Sequence, residues 1–205
     1  MRDTTKGSGG RWAVILGLAF IAALGISVLV LWPGMKPAEG GNPAGFPLPL
    51  PQEPTARQAY RAAQEAARAW QTDAQPATLA AHWRQTRGRW PSQSTWTVQF
   101  YSPATGRMAV VVVEAGRARL LQETITPYPL PTWAEDRWRV DSPQALEVWW
   151  AEGGADFLAR HPQAEVAIQL GPAGPADPRP VWTVTAVAGN QVHTLSISGV
   201  DGRQQ

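Results

Sequence analysis

The sequence predicts an α+β protein, with one N-terminal transmembrane helix followed by two repeated units. Each unit is expected to be a helix packed on an antiparallel sheet. Three observations predict this. Residues 12–32 form a run of 21 residues without a charge. At Thr55 an amphipathic helical pattern begins and then gives way to strands of period two. The same succession starts again 86 positions later, at Asp141.

The uncharged run, WAVILGLAFIAALGISVLVLW, carries a tryptophan at each end. As a helix it would span roughly 30 Å, the thickness of a bilayer's hydrocarbon core. Its indoles would sit at headgroup level. Arg2, Lys6 and Arg11 precede it against a single Asp3. Positive flanks stay in the cytoplasm, so residues 1–11 read as a cytoplasmic tail and the rest of the chain as extracytoplasmic. The alternative is a cleaved signal peptide, but Trp32-Pro33-Gly34 is a poor cleavage site. The chain has no cysteine, which excludes a lipid-modified N-terminal cysteine, disulfides and thiolate metal sites.

Residues 33–54 hold seven prolines and four glycines and read as an extended linker or passive stalk. The expected first unit covers 55–122. Thr55 and Gln58 have capping-box spacing, and Tyr60, Ala63, Ala67 and Trp70 recur at helical intervals. Residues 77–89 are ambiguous between a helical turn and a strand. Trp96, Val98 and Phe100 alternate as a half-buried strand. Met108–Val113 and Arg117–Gln122 read as two more, joined through Ala115-Gly116.

Pro127, Pro129 and Pro131 mark a linker over 123–140, and the second unit covers 141–205. Asp141, Pro143 and Gln144 announce a helix start. Leu146, Trp149, Trp150 and Phe157 continue as an apolar stripe. Val166, Ile168 and Leu170 alternate, Gly171–Pro180 reads as a loop, and Trp182, Val184 and Ala186 alternate again. Val192–Ser198 returns after Gly189-Asn190. At a shift of 86, Gln58-Ala59 falls on Gln144-Ala145, Trp96-Thr97-Val98 on Trp182-Thr183-Val184, and Gly116-Arg117 on Gly202-Arg203. A duplicated unit of this size would bury only a marginal core alone, so the two are expected to pack together.

A helix, a Trp-Thr-Val strand and a closing strand that runs into Asp201-Gly202 resemble the PepSY domain. Residues 142–203 carry the closer match, and the resemblance covers most of 55–203. The whole chain is similar to tandem-PepSY single-pass proteins of bacterial cell envelopes. That resemblance implies cystatin-like α+β units with no catalytic residues, acting as inhibitory or regulatory modules outside the membrane.

Composition excludes more than it assigns. The computed pI is 9.4, yet without the N-terminal tail the formal charges balance. They are sorted along the chain: nine arginines against three acids over 55–119, then five against ten over 120–205. His82, His161 and His193 are far apart and lack partners at metal-ligand spacing. His193 shares a strand face with Leu195 and Ile197 and reads as a satisfied core or edge histidine. Glu135, Asp136, Glu147 and Glu152 read as surface acids. No nucleophile elbow, zinc-protease, P-loop or dinucleotide motif occurs, so no enzyme and no cofactor is expected.

The richest cluster is Trp83, Arg84, Arg87, Arg89 and Trp90. Guanidinium forks grip anions and indoles stack on rings, so these five are the candidate site for an anionic wall polymer or lipid headgroup, not for nucleic acid. The plainer alternative is that Trp83 and Trp90 pack into the unit and the arginines are solvated. The expectation is therefore a membrane-anchored, extracytoplasmic, non-enzymatic regulatory or binding module. It would be held in the bilayer by residues 12–32 and act on an envelope protein or wall polymer. The alternative is an accessory subunit of a larger membrane complex, with Gly17, Ala19, Ala23 and Gly25 allowing another helix to approach.

Overall fold

A computed structural model describes Leu50, Pro51 and residues 53–205. The expected tail, membrane span and most of the proline-rich linker lie outside the described residues. Among the described residues no helix is long and apolar enough to cross a membrane.

The chain runs α1 (Ala56–Trp70), β1 (Gln75–Trp83), β2 (Trp96–Ser102), β3 (Arg107–Glu114) and β4 (Arg117–Ile125). A 3-10 turn (Glu135–Arg137) follows, then α2 (Ser142–Trp149) and α3 (Ala155–Arg160). The last strands are β5 (Glu165–Gly174), β6 (Asp177–Ala188) and β7 (Gln191–Ser198). All seven strands belong to one antiparallel sheet in the order β4-β3-β2-β1-β5-β6-β7.

This corrects the expected architecture of two units, each a helix on its own sheet. β1 and β5 pair directly, Leu79 opposite Leu170 and Trp83 opposite Val166, and fuse the strands into a single sheet. The physical reason is burial, because a helix and three or four strands cover too little apolar surface alone. Here Leu79, Val98 and Val111 from one side of the seam share a core with Ile168, Leu170, Trp182 and Ile197 from the other.

Local chemistry explains the elements. Thr55 accepts the Gln58 amide while the Gln58 side chain accepts the Thr55 amide, a capping box that fixes the start of α1. Asp141 and Gln144 repeat the device at α2, with Pro143 in its first turn. α1 buries Ala56, Ala59, Tyr60, Ala63 and Ala67 on the sheet. Between α2 and α3, Gly153 takes φ +106 and breaks the helix, a conformation that favours glycine.

The ambiguous stretch is strand β1 as far as Trp83, and residues 84–89 belong to the connection that follows it. Ala77, Leu79, Ala81 and Trp83 point to the helix-covered side. The expected loop at 171–180 is mostly strand, with Pro172 opposite Pro180 near the end of the β5–β6 hairpin. The segment between β4 and α2 is tied down. The Trp133 amide donates to the Pro76 carbonyl and the Ala134 amide to Pro178. Its tryptophans 133 and 138 are buried with Tyr60, ring centroids 5.5 and 5.8 Å away.

Candidate functional site

The candidate arginines lie on the long connection between β1 and β2. Its base is fixed by tryptophans. The Trp83 indole donates to Ser94 Oγ at 3.2 Å, and Ser94 Oγ donates to the Pro51 carbonyl. The Trp96 indole donates to the Pro54 carbonyl at 2.7 Å and meets Trp83 edge-on. Trp83 is only 1% exposed, so it holds the loop and presents no face to a ligand. Trp90 is half-buried against the core.

The arginines part company in the structure. Arg84 Nε lies 3.1 Å from Glu165 Oε1, and His82 Nε2 lies 3.2 Å from the other carboxylate oxygen. Arg84 is thereby partly neutralised. Arg87 and Arg89 stand on an exposed tip, where Thr86 and Arg89 exchange both backbone hydrogen bonds. Arg87 at φ 54 and Gly88 at φ 73 are the two central residues of this tight turn. A turn with two left-handed residues suits Asn or Gly at both places. An arginine there costs ~1 kcal/mol. Among the described residues neither Arg87 nor Arg89 forms an ion pair.

A groove of about 350 Å³ runs along the end of α1, lined by Tyr60, Gln64, Arg68, Trp133 and Glu135 among others. Tyr60 OH donates to Glu135 Oε2 at 2.9 Å, and Gln64 Nε2 donates to the same oxygen at 3.2 Å. Burial, and after it the negative charge of Glu135, push the phenol of Tyr60 well above its ordinary value. The phenol is thus held protonated, as a donor that clamps the 3-10 turn to α1, and it supplies no base. Sequence reading placed Tyr60 on a core stripe and Glu135 on the surface. No local signal joins residues 75 positions apart.

The histidines do not assemble. His82 belongs with Glu165. His161 packs at a tilt against Phe157, ring centroids 4.7 Å apart, and His193 lies between the rings of Trp149 and Phe157, 5.9 Å from each. His193 shares the core face of β7 with Leu195 and Ile197, but its Nε2 is buried with no hydrogen-bond partner. The expectation of a core histidine holds, but that of a satisfied one is corrected at Nε2, where the neighbouring Trp149 and Phe157 rings offer no acceptor. Among the described residues no three His, Asp or Glu side chains come together as a metal site.

No protein-family model matches the chain, and no curated protein matches it. Among solved structures, the crystal structure of a "putative lipoprotein" from Clostridium difficile 630 is similar, with a TM-score of 0.49 and 10% sequence identity. That likeness covers 72% of this chain and 90% of the other.

Proposed function

We propose that the protein is a non-enzymatic binding or regulatory module of the cell envelope. In this reading residues 12–32 anchor it in the membrane and the sheet stands outside the cytoplasm. Its target is an anionic wall polymer or an envelope protein with an acidic surface. The observation that carries the reading is Arg87, held left-handed at an exposed tip beside Arg89. Residues in unfavourable backbone conformations cluster at functional sites, and this one carries a guanidinium to the exposed end of the turn. Two unneutralised guanidinium groups on a turn with a fixed base suit bidentate capture of phosphate or carboxylate. The PepSY resemblance of Trp182-Thr183-Val184 and Asp201-Gly202 agrees with a regulatory rather than a chemical role.

The test is co-sedimentation of the detergent-solubilised full chain with purified wall fragments, across a salt series. Substituting Arg87 and Arg89 together by Ala should weaken binding at low salt by about tenfold, one or two charge-assisted contacts' worth. Arg84→Ala should do less, because Glu165 already engages that group. Binding that is indifferent to both substitutions would remove the loop as the contact surface.

A further inference from the structure

The groove along α1 lies at the opposite end of β1 from the arginine loop, where Gln75 and Pro76 begin the strand. Two opposite charges line it and do not meet. Tyr60, Gln64 and Arg68 follow one another at four-residue intervals on α1 and form one row along the helix. Glu135 lies against the first two. Arg68 stands one turn, ~5.4 Å, beyond Gln64. Among the described residues neither Glu135 nor Arg68 forms an ion pair.

Much of the polar capacity of the groove is unused. Glu135 Oε2 accepts both the Tyr60 hydroxyl and Gln64 Nε2, while Oε1 has only a 3.4 Å contact from the same amide. The carboxylate is thereby oriented, with one oxygen open to a cation. Gln75 accepts the Thr132 hydroxyl through Oε1 at 3.0 Å, which leaves its Nε2 as a donor. Trp133, only 3% exposed, lines the groove and carries a buried indole N–H with no acceptor among the described residues. Buried donors are nearly always paired, so one left over beside a groove marks a place for an acceptor brought by a ligand.

An oriented carboxylate, a guanidinium one turn further on and unused N–H donors between the walls suit a ligand that bears both an ammonium and a carboxylate. We propose that the groove binds a zwitterionic dipeptide, its ammonium at Glu135 Oε1 and its carboxylate at Arg68. Two residues reach at most ~7 Å, enough to span one helical turn, whereas a free amino acid falls short. The peptide's carbonyl and carboxylate oxygens bring the acceptors that Gln75 and Trp133 lack. The groove's volume, about 350 Å³, suits so short a ligand. Pro76 and Phe100 give it an apolar wall for small side chains.

The test is a titration of alanyl-alanine into the full chain in mild detergent, isotopically labelled at tryptophan and followed by NMR. The Trp133 indole N–H resonance, assigned by its loss in Trp133→Phe, should shift saturably. Glu135→Gln keeps an acceptor for Tyr60 and should weaken binding about tenfold, one charge-assisted contact's worth. Arg68→Gln should do the same. Both side chains are exposed, so the circular dichroism spectrum should not change. Acetylating the peptide's amine should weaken binding to the parent by the same factor and leave binding to Glu135→Gln nearly as it was. Amidating its carboxyl should stand in that relation to Arg68→Gln. Free alanine should bind more weakly than the dipeptide. A shift that stays linear in peptide concentration overturns the proposal. So do capped peptides or charge-removing variants that bind as well as their parents, and so does alanine binding as tightly as the dipeptide. Replacing Arg87 and Arg89 by Ala should leave the titration unchanged, so the groove and the β1–β2 loop stand or fall separately.

Discussion

The backbone amide of Ala56 donates to the hydroxyl of Ser142 at 2.9 Å, joining the starts of two helices that lie 86 residues apart in sequence. The next amide, Arg57, donates to Asp141 Oδ1 at 3.0 Å. First-turn amides have no partner inside their own helix, so each must find one elsewhere. Here the cap of α2 serves α1 as well. Ser142→Ala would orphan a buried donor and should cost ~1–3 kcal/mol. Asp141→Ala removes a cap as well as the Arg57 contact and should cost at least as much. Urea denaturation of the full chain would measure both. A loss of only a few tenths for Ser142→Ala would show that the helix starts do not depend on one another.

That junction shows how much of the fold the sequence makes legible. Both capping boxes could be read from Thr55/Gln58 and Asp141/Gln144, because a cap is a contact across three residues. The alternation of Trp96, Val98 and Phe100 was equally plain. The centre of the sheet was not. β1 carries three alanines among its nine residues, which suit a helix as readily as a strand, and its pairing with β5 joins residues about 90 apart. The merging of two expected units into one sheet follows from that single non-local pairing. At the loop, the cluster of arginines was legible. Which of them are engaged was not, because Glu165 reaches Arg84 only through the same β1–β5 seam.

The carbonyl of Val140 accepts from two indoles, Trp138 Nε1 at 2.6 Å and Trp182 Nε1 at 2.9 Å. Replacing either tryptophan by Phe keeps a ring in place and leaves the carbonyl one donor. Replacing both leaves it none. The double variant should therefore lose more stability than the two single losses added, by ~0.5–1 kcal/mol. Additive or sub-additive losses in a double-mutant cycle would mean that the shared carbonyl contributes nothing beyond ring packing.

Asp73 accepts the Ala104 amide and the Ser102 hydroxyl, both at 2.8 Å. Those bonds, the Ala104 amide first, hold its carboxyl below the ordinary value near 3.8. A carboxyl lowered on folding stabilises above its unfolded value, and the contribution fades as pH falls through the folded one. Asp73→Ala should thus be less stable than the parent at neutral pH, with the difference shrinking towards zero in acid. Melting temperatures of both proteins from neutral pH to below 3.8 would show it. A difference that does not change with pH would assign the effect to packing.

Tyr60 behaves in the opposite sense. Its phenol is raised above the ordinary 10.0, so above that pH the unfolded chain loses a proton that the folded chain keeps. Stability tied to Tyr60 is present below pH ~10 and declines as pH climbs beyond it. Tyr60→Phe should cost ~1 kcal/mol at neutral pH through the lost bond to Glu135. It should also flatten the alkaline decline seen in the parent. Urea midpoints on either side of pH ~10 would decide. A variant with the same alkaline slope as the parent would show that Tyr60 titrates freely.

Gly154 has ordinary helical angles, so its need for glycine comes from space alone. A Cβ built there would lie 2.7 Å from two carbons of the Trp149 indole and 2.8 Å from a third. Trp149 is fully buried and bounded by Trp150 and His193, so the ring has little room to yield. In an open helix, Gly→Ala would gain ~1 kcal/mol from propensity. Here overpacking at ~1–3 kcal/mol should outweigh that gain, and Gly154→Ala should destabilise. Gly174→Ala, where nothing lies within 4 Å, should be near neutral. Adding Trp149→Phe to Gly154→Ala should recover part of the loss, because the smaller ring vacates the clash. Thermal denaturation of the parent, Gly154→Ala, Trp149→Phe and the double variant measures the coupling, and a stabilised Gly154→Ala would mean that the indole does not pack over this turn.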